Sequence, residues 1–179
     1  CHKTDLNFDE VIRLARSKWN FLDFSPGLVG GHCLPVDPYY LSYYANKSNF
    51  KTKVTLAGRD VNNSMELFIF NKIYKKISKI KNIKKKRIIF SGLTYKPNVA
   101  DLRNSIPIKI YKKLKTIFPN LIPYEPILNK KIAKRLNIEV EFKNIKKGEV
   151  FIILVKHTKF KNLYSYVRKN NKLIIDPFL

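Results

Sequence analysis

Arg87-Ile88-Ile89-Phe90-Ser91-Gly92-Leu93-Thr94-Tyr95-Lys96-Pro97-Asn98-Val99-Ala100-Asp101-Leu102-Arg103-Asn104-Ser105 is the stretch that decides the fold. An apolar run of strand type stops at a glycine, a polar turn follows, and a helix is expected over 105–118. The same grammar repeats downstream: strand 121–124, helix 129–136, a short strand at 138–142, a buried strand at 150–155, helix 160–167 and a last strand at 173–176. Strands alternating with crossover helices at this spacing predict a parallel sheet covered on both faces. The 92–105 turn then lies where doubly wound folds bind nucleotides, beside helix amides that favour anions. Lys96 and Arg103 can meet phosphate, hydroxyl or carboxylate oxygens there; equally, Asp101 and Arg103 can simply brace the turn as an ion pair. No G-x-G-x-x-G is present, so the sheet pattern alone does not name a dinucleotide.

Upstream the pattern turns helical. Leu6, Val11, Ile12 and Leu14 are spaced for a short helix over 8–17, which Asn7 can cap. Tyr39 to Lys47 suits a second helix with Pro38 in its first turn. Leu56, Val61, Met65, Phe68, Ile69, Ile73, Ile77 and Ile80 mark a third over 54–80, about seven turns long. A helix of that length is either an ordinary core helix or a packing spine and dimer interface. Residues 81–86 read as a solvated connector. The expected fold class is therefore α/β in two pieces: a helical segment over 1–82 and a Rossmann-like parallel-sheet domain over 83–179.

Charge suggests a different partner. The 179 residues hold 36 Lys and Arg against 13 Asp and Glu, a formal charge of +23. Only seven of the basic residues are Arg, and the Lys are dispersed without a dense stripe or an RNP-like aromatic motif. A solvated Lys surface explains this better than nucleic-acid recognition. The apolar share of 45% is enough for a packed core, which argues against a disordered basic tail. No run of about 18 apolar residues predicts a membrane span, and residues 1–20 show no secretory h-region. With only Cys1 and Cys33, a disulfide scaffold is not expected, and a reducing cytoplasm is the default.

The remaining chemistry lies between residues 20 and 38, where three of the six glycines and three of the nine prolines fall. Gly30-Gly31-His32-Cys33 sets a thiol after two residues without a Cβ, so substrate or backbone can approach closely. A lone Cys is more often packing, but this loop context and the carboxylate of Asp37 four residues on point to nucleophilic chemistry. His32 and Cys33 are neighbours in an extended loop and should point apart, so a direct Cys–His pair is not expected. The residues lack metal-ligand spacing, and no metal is expected.

These stretches together resemble the UDP-glucose/GDP-mannose dehydrogenase family, the NAD-dependent nucleotide-sugar 6-dehydrogenases. The resemblance rests on Lys18-Trp19-Asn20-Phe21-Leu22, on the Pro26-to-Asp37 loop with Pro38-Tyr39-Tyr40-Leu41, and on Ala57-Gly58-Arg59 with Asn62. It extends through Gly92-Leu93-Thr94-Tyr95-Lys96 to Asp101-Leu102-Arg103-Asn104-Ser105. The Gly-Gly-His-Cys wording is most similar to the branch acting on UDP-N-acetylhexosamines. The resemblance implies oxidation of a UDP-sugar C6 alcohol to a uronate with two NAD, serving surface-polysaccharide precursor synthesis. It implies Cys33 as the nucleophile forming a thiohemiacetal and then a thioester, with Asp37 assisting hydrolysis. Phe21, Leu22, Gly30, Gly31, Tyr95 and Lys96 would bind the UDP-sugar, and Arg103 would reach the cofactor. Val36 departs from the Lys that some members carry before the Asp, a departure that bears on one cofactor contact and leaves the nucleophile in place.

The family order is an NAD domain, a central helical dimerisation domain and a UDP-binding domain, and this chain resembles the latter part. On that reading NAD is bound mainly by an N-terminal domain outside these residues, on the same chain or a separate one, and the 179 residues alone are inactive. A homodimer through the 51–81 helix is expected, and an apolar seam near Phe8, Val11 and Phe24. Two other readings stay open: a non-catalytic UDP-sugar-binding or dimerising remnant, and a basic nucleic-acid-binding module.

Overall fold

The computed structural model describes residues 4, 6–23 and 27–178. Helix α1 spans Phe8–Ala15, α2 Asp37–Lys47, and the long α3 Lys53–Ser78. Strand β1 (Ile88–Ser91) leads to α4 (Ile106–Ile117) and β2 (Leu121–Tyr124). Helices α5 (Lys130–Arg135) and α6 (Phe142–Ile145) lead to β3 (Val150–Ile153), and α7 (Lys161–Lys169) to β4 (Leu173–Ile175). All four strands are parallel, in the order β2-β1-β3-β4. The α/β alternation expected from the sequence is thus the architecture.

Side-chain alternation explains the layers. Ile88 and Phe90 of β1, with Val150 and Ile152 of β3, face a core that includes Ile69, Ile73 and Ile77 of α3 and Ile110 and Leu114 of α4. Ile89, Phe151 and Ile153 face the opposite way, onto Ile145, Phe160, Leu163 and Val167. Period two on a strand sends neighbours to opposite faces, and the fully apolar strand is the form that suits burial on both. The C-terminal half of α3 therefore helps cover the sheet, as an ordinary core helix does.

Local chemistry sets the ends. Asn7 accepts the amides of Asp9 and Glu10 at the start of α1, as its position predicts. Pro38 stands in the first turn of α2. Ser105 caps α4 through the Ile108 amide. One expectation fails: 138–142 is not a strand. Glu139 makes an isolated bridge to Tyr124, and α6 begins at Phe142. Within this segment only Glu139 pairs with the edge strand β2, its amide donating to the Pro123 carbonyl, and a lone pair of bonds does not make a ladder.

Cys1, Phe24 and Pro26 lie outside the described residues. Of the expected apolar seam, Val11 is exposed and Phe8 half-buried, and no residue of α1 is buried. Among the described residues no helix is long and apolar enough to cross a membrane.

The buried rings predict alkaline lability. The hydroxyl of Tyr124 is pushed up to about 12 by burial first and by the Glu125 charge second. Tyr164 is likewise raised to about 12, by burial and then Asp176. The unfolded chain ionises these tyrosines near pH 10, so their contribution is intact below that and fades as pH rises towards 12. We expect stability, and with it the melting temperature, to fall across that window, with Tyr124 alone accounting for up to roughly 2–3 kcal/mol. Tyrosinate absorbance recorded beside circular dichroism checks it, since ionisation should coincide with unfolding.

Candidate functional site

The site forms where the Gly-rich loop lies on the turn that follows β1. Gly31 donates its amide to the Arg103 carbonyl at 3.2 Å, and its own carbonyl accepts from Asn104 Nδ2 at 2.9 Å. Asn62 Nδ2 of α3 donates to the Val29 carbonyl at 3.3 Å. The glycines are required by this docking. A Cβ on Gly30 would stand 2.7 Å from the Asn104 carbonyl oxygen and 2.9 Å from Tyr95 Cβ. Gly31 has φ +96° and packs on the Tyr95 ring, where a Cβ would come within 3.0 Å. The close approach expected of these glycines is thus made by the protein's own turn.

Beyond the glycines the chain coils. The Cys33 carbonyl accepts the amides of Val36 and Asp37 at 2.8 and 2.9 Å, so Asp37 follows Cys33 by one helical turn and opens α2. Both residues are exposed. No hydrogen bond pairs His32 with Cys33 among the described residues. His32 instead lies within electrostatic range of Asp101, and Cys33 within range of Arg103. The thiol therefore stands open beside the 92–105 turn.

The turn is tightly held. Tyr95 donates its amide to the Asp101 carbonyl, and Ser105 Oγ donates to the Leu93 carbonyl. Arg103 grips Asp101: Nε lies 3.1 and 2.9 Å from Oδ1 and Oδ2, and Nη2 is 2.6 Å from Oδ2. These bonds hold the Asp101 carboxyl at about 2, and they raise Arg103 in turn. Asp101 is thereby charged at every physiological pH, and the brace persists until acid approaches that value. The ion-pair reading of Asp101 and Arg103 is what the geometry contains, yet the Arg103 side chain stays mostly exposed and its Nη1 has no protein hydrogen bond among the described residues. That half of the fork can take an anionic group. Lys96 is exposed, its Nζ 5.6 Å from the centre of the Tyr95 ring.

Gly30, Gly31, Cys33, Asp37, Tyr95, Lys96 and Arg103 are thus gathered by the loop and the turn. Phe21 and Leu22 are not tied to this group: they follow α1, with residues 24–26 outside the described residues between, and no hydrogen bond joins them to it. Among the described residues no group of three or more His, Cys, Asp or Glu side chains can hold a metal ion.

Two further features adjoin the site, the first around Arg59 and Asn62, which the sequence marked only as part of the resemblance, and the second at residues it did not mark. A cleft of about 310 Å³ opens between α3 and the start of α4, lined by Val29, Val36, Arg59, Asn62, Glu66 and Asn104. Arg59 is buried there with its Nε unpartnered among the described residues, and its Nη2 lies 3.4 Å from Asn63 Oδ1. Beneath the turn, Glu125 and His157 form a fully buried pair. Their only sequence signal was position: each falls just after the carboxyl end of a strand of the sheet.

Comparison with known proteins agrees along most of the chain. The model of the UDP-glucose/GDP-mannose dehydrogenase family, central domain, matches residues 1–64, and that of the same family's UDP binding domain matches 89–178. Protein CapL of Staphylococcus aureus is 35% identical over 170 residues, covering 92% of this chain and 40% of that protein. The UDP-N-acetyl-D-glucosamine 6-dehydrogenase of Salmonella typhi is 32% identical, covering 92% of this chain and 39% of that protein. A structure of the UDP-D-ManNAc dehydrogenase from Pyrococcus horikoshii superposes with a TM-score of 0.74 at 27% identity, over 98% of this chain and 41% of that one. The chain thus spans about 40% of the length of the curated relatives it matches.

Proposed function

Because the chain belongs to the UDP-glucose/GDP-mannose dehydrogenase family, we propose that it forms the thiol-bearing and UDP-sugar-binding part of a nucleotide-sugar 6-dehydrogenase. The substrate is a UDP-N-acetylhexosamine, oxidised at C6 to a uronate that feeds surface-polysaccharide precursors. Support for the substrate class comes from the relatives named as UDP-N-acetylhexosamine dehydrogenases. The observation that carries the reading is the exposed Cys33 held beside the Tyr95–Arg103 turn by two glycines that tolerate no side chain. Residues 1–82 act as the helical, dimerising portion and 83–179 as the UDP-binding domain.

In this reading Lys96 pairs with the diphosphate, Tyr95 gives a ring face, and Gly30 and Gly31 bring the loop backbone down onto the turn, where it lines the sugar side. Phe21 and Leu22 close the sugar side. Cys33 Sγ bonds to the C6 aldehyde carbon, whose π pair moves to oxygen and takes a proton, giving a thiohemiacetal. NAD, held mainly by a domain outside these residues with Arg103 reaching it, would accept one hydride in each of two oxidations, C6 alcohol to aldehyde and thiohemiacetal to thioester, two NAD in all. The thioester left on Cys33 is attacked by water; the C–S bond breaks, its pair returns to sulfur, and the carboxylate departs. Asp37 takes the water's proton, one helical turn from the nucleophile. A thiol suits both ends of this sequence, adding readily and leaving readily.

The exposed apolar side chains of α3, Val54, Val61 and Leu67, favour pairing of this helix with that of a second copy. A reducing cytoplasm suits both the free thiol and the nucleotide sugar. Calorimetric titration of UDP into the protein tests the pocket. Binding should weaken about tenfold or more in Lys96→Ala, the loss expected for one charge-assisted phosphate contact. No heat from the parent protein at any UDP concentration removes the reading.

A further inference from the structure

We infer that the buried Glu125–His157 pair is a positioning device that fixes the backbone of the substrate-binding turn, and so sets where Lys96 presents its charge. The inference rests on the proposed UDP site for what the turn binds, and on geometry alone for how it is held.

Glu125 follows β2 and His157 follows β3, and both side chains are completely buried. Glu125 Oε2 accepts the amides of Leu93 at 2.7 Å and Thr94 at 3.3 Å. His157 Nε2 lies 3.0 Å from Oε1 and 3.1 Å from Oε2. The other ring nitrogen, Nδ1, receives the Asn98 amide at 2.9 Å, so it carries no proton and the ring N–H sits on Nε2, aimed at Glu125. Thr94 Oγ1 closes the frame by donating to the Lys96 carbonyl at 3.0 Å. Asn98, in the left-handed region at φ 60°, accepts at Oδ1 from the amide and hydroxyl of Thr158. The turn is therefore stitched from below at residues 93, 94, 96 and 98, while the Lys96 side chain is left to solvent.

A carboxyl and an imidazole are costly to bury, and apolar side chains would fill the space with less penalty. What an apolar pair lacks is the ability to accept three amides of a turn that makes no regular ladder. Without those acceptors the amides would be buried unpaired, or the turn would lift into solvent. The loop that carries Cys33 rests on the same turn through Tyr95 and Asn104, so a lifted turn would also shift the thiol.

Amide exchange on the unliganded protein gives the first test. Leu93, Thr94 and Asn98 should be protected well beyond the neighbouring turn residue Lys96; exchange at exposed-loop rates in the parent protein overturns the inference without any variant. Glu125→Leu, which removes the acceptor, should release the Leu93 and Thr94 amides and weaken UDP about tenfold. His157→Leu should do the same at Asn98. His157→Asn keeps an acceptor near the Nδ1 position and should bring UDP affinity back to within about threefold of the parent. A merely space-filling role gives the opposite ranking at position 157, with Leu better than Asn, and that ranking sinks the proposal, as does folded Glu125→Leu with unchanged affinity. Should the parent protein not bind UDP, the site assignment falls while the exchange pattern still judges the stitching.

Discussion

Cys33→Ser is expected to abolish uronate formation, lowering UDP-sugar-dependent NADH production by on the order of 10⁴-fold or more when the chain is assayed together with an NAD-binding domain of the family. The expectation follows from the exposed thiol one turn ahead of Asp37. A serine hydroxyl fits the same space, so folding and UDP affinity should be unchanged. Its oxygen stays protonated at neutral pH, adds poorly to the aldehyde and leaves poorly from an ester. UDP titration and turnover measured on one preparation separate the two effects. Equal turnover by parent and variant would remove Cys33 from the mechanism. The parent thiol should also react readily with an aromatic disulfide reagent, and UDP-sugar should slow that reaction by covering it.

Gly92→Ala is expected to produce the largest loss of stability, about 3–5 kcal/mol. Gly92 ends β1 with φ +83°, and a Cβ there would fall 2.4 Å from the Val155 carbonyl oxygen and 2.5 Å from its amide nitrogen. Left-handed backbone alone costs an alanine roughly 1–2 kcal/mol. The rest is overlap with main-chain atoms that cannot swing aside as a side-chain tip can. Because Gly92 also receives order from β2, donating its amide to the Tyr124 carbonyl, the strain would reach three strands at once. Urea unfolding checks it: a midpoint within error of the parent would show that the β1–β3 crossing relaxes at little cost. A fall of about 10 °C in melting temperature is the matching thermal expectation.

Both predictions start from features the sequence displays, but in different measure. Ile88-Ile89-Phe90 and Val150-Phe151-Ile152-Ile153 are apolar without a break, and strands of that kind separated by helical periods admit little besides a parallel sheet covered on two faces. Pro38, Asn7 and Gly92 likewise declare their turns and caps through local backbone chemistry, which needs no knowledge of distant neighbours. Glu139 shows the limit, since whether a short apolar run pairs or merely touches a strand depends on what already occupies that edge. The Cys33 loop and the Lys96 turn were each visible, as was the chemistry their residue types allow. Their meeting was not, because it is made by the Gly31 carbonyl accepting the Asn104 side-chain amide across 73 positions, beside the Gly31 amide bonded to the Arg103 carbonyl. Glu125 and His157 were marked only by their position after strand ends, and nothing local distinguishes a buried carboxyl from a surface one. Local propensity and periodicity act within a few residues of the chain and so fix elements. Which polar groups share a desolvated space depends on the packing of those elements, and only the folded chain decides it.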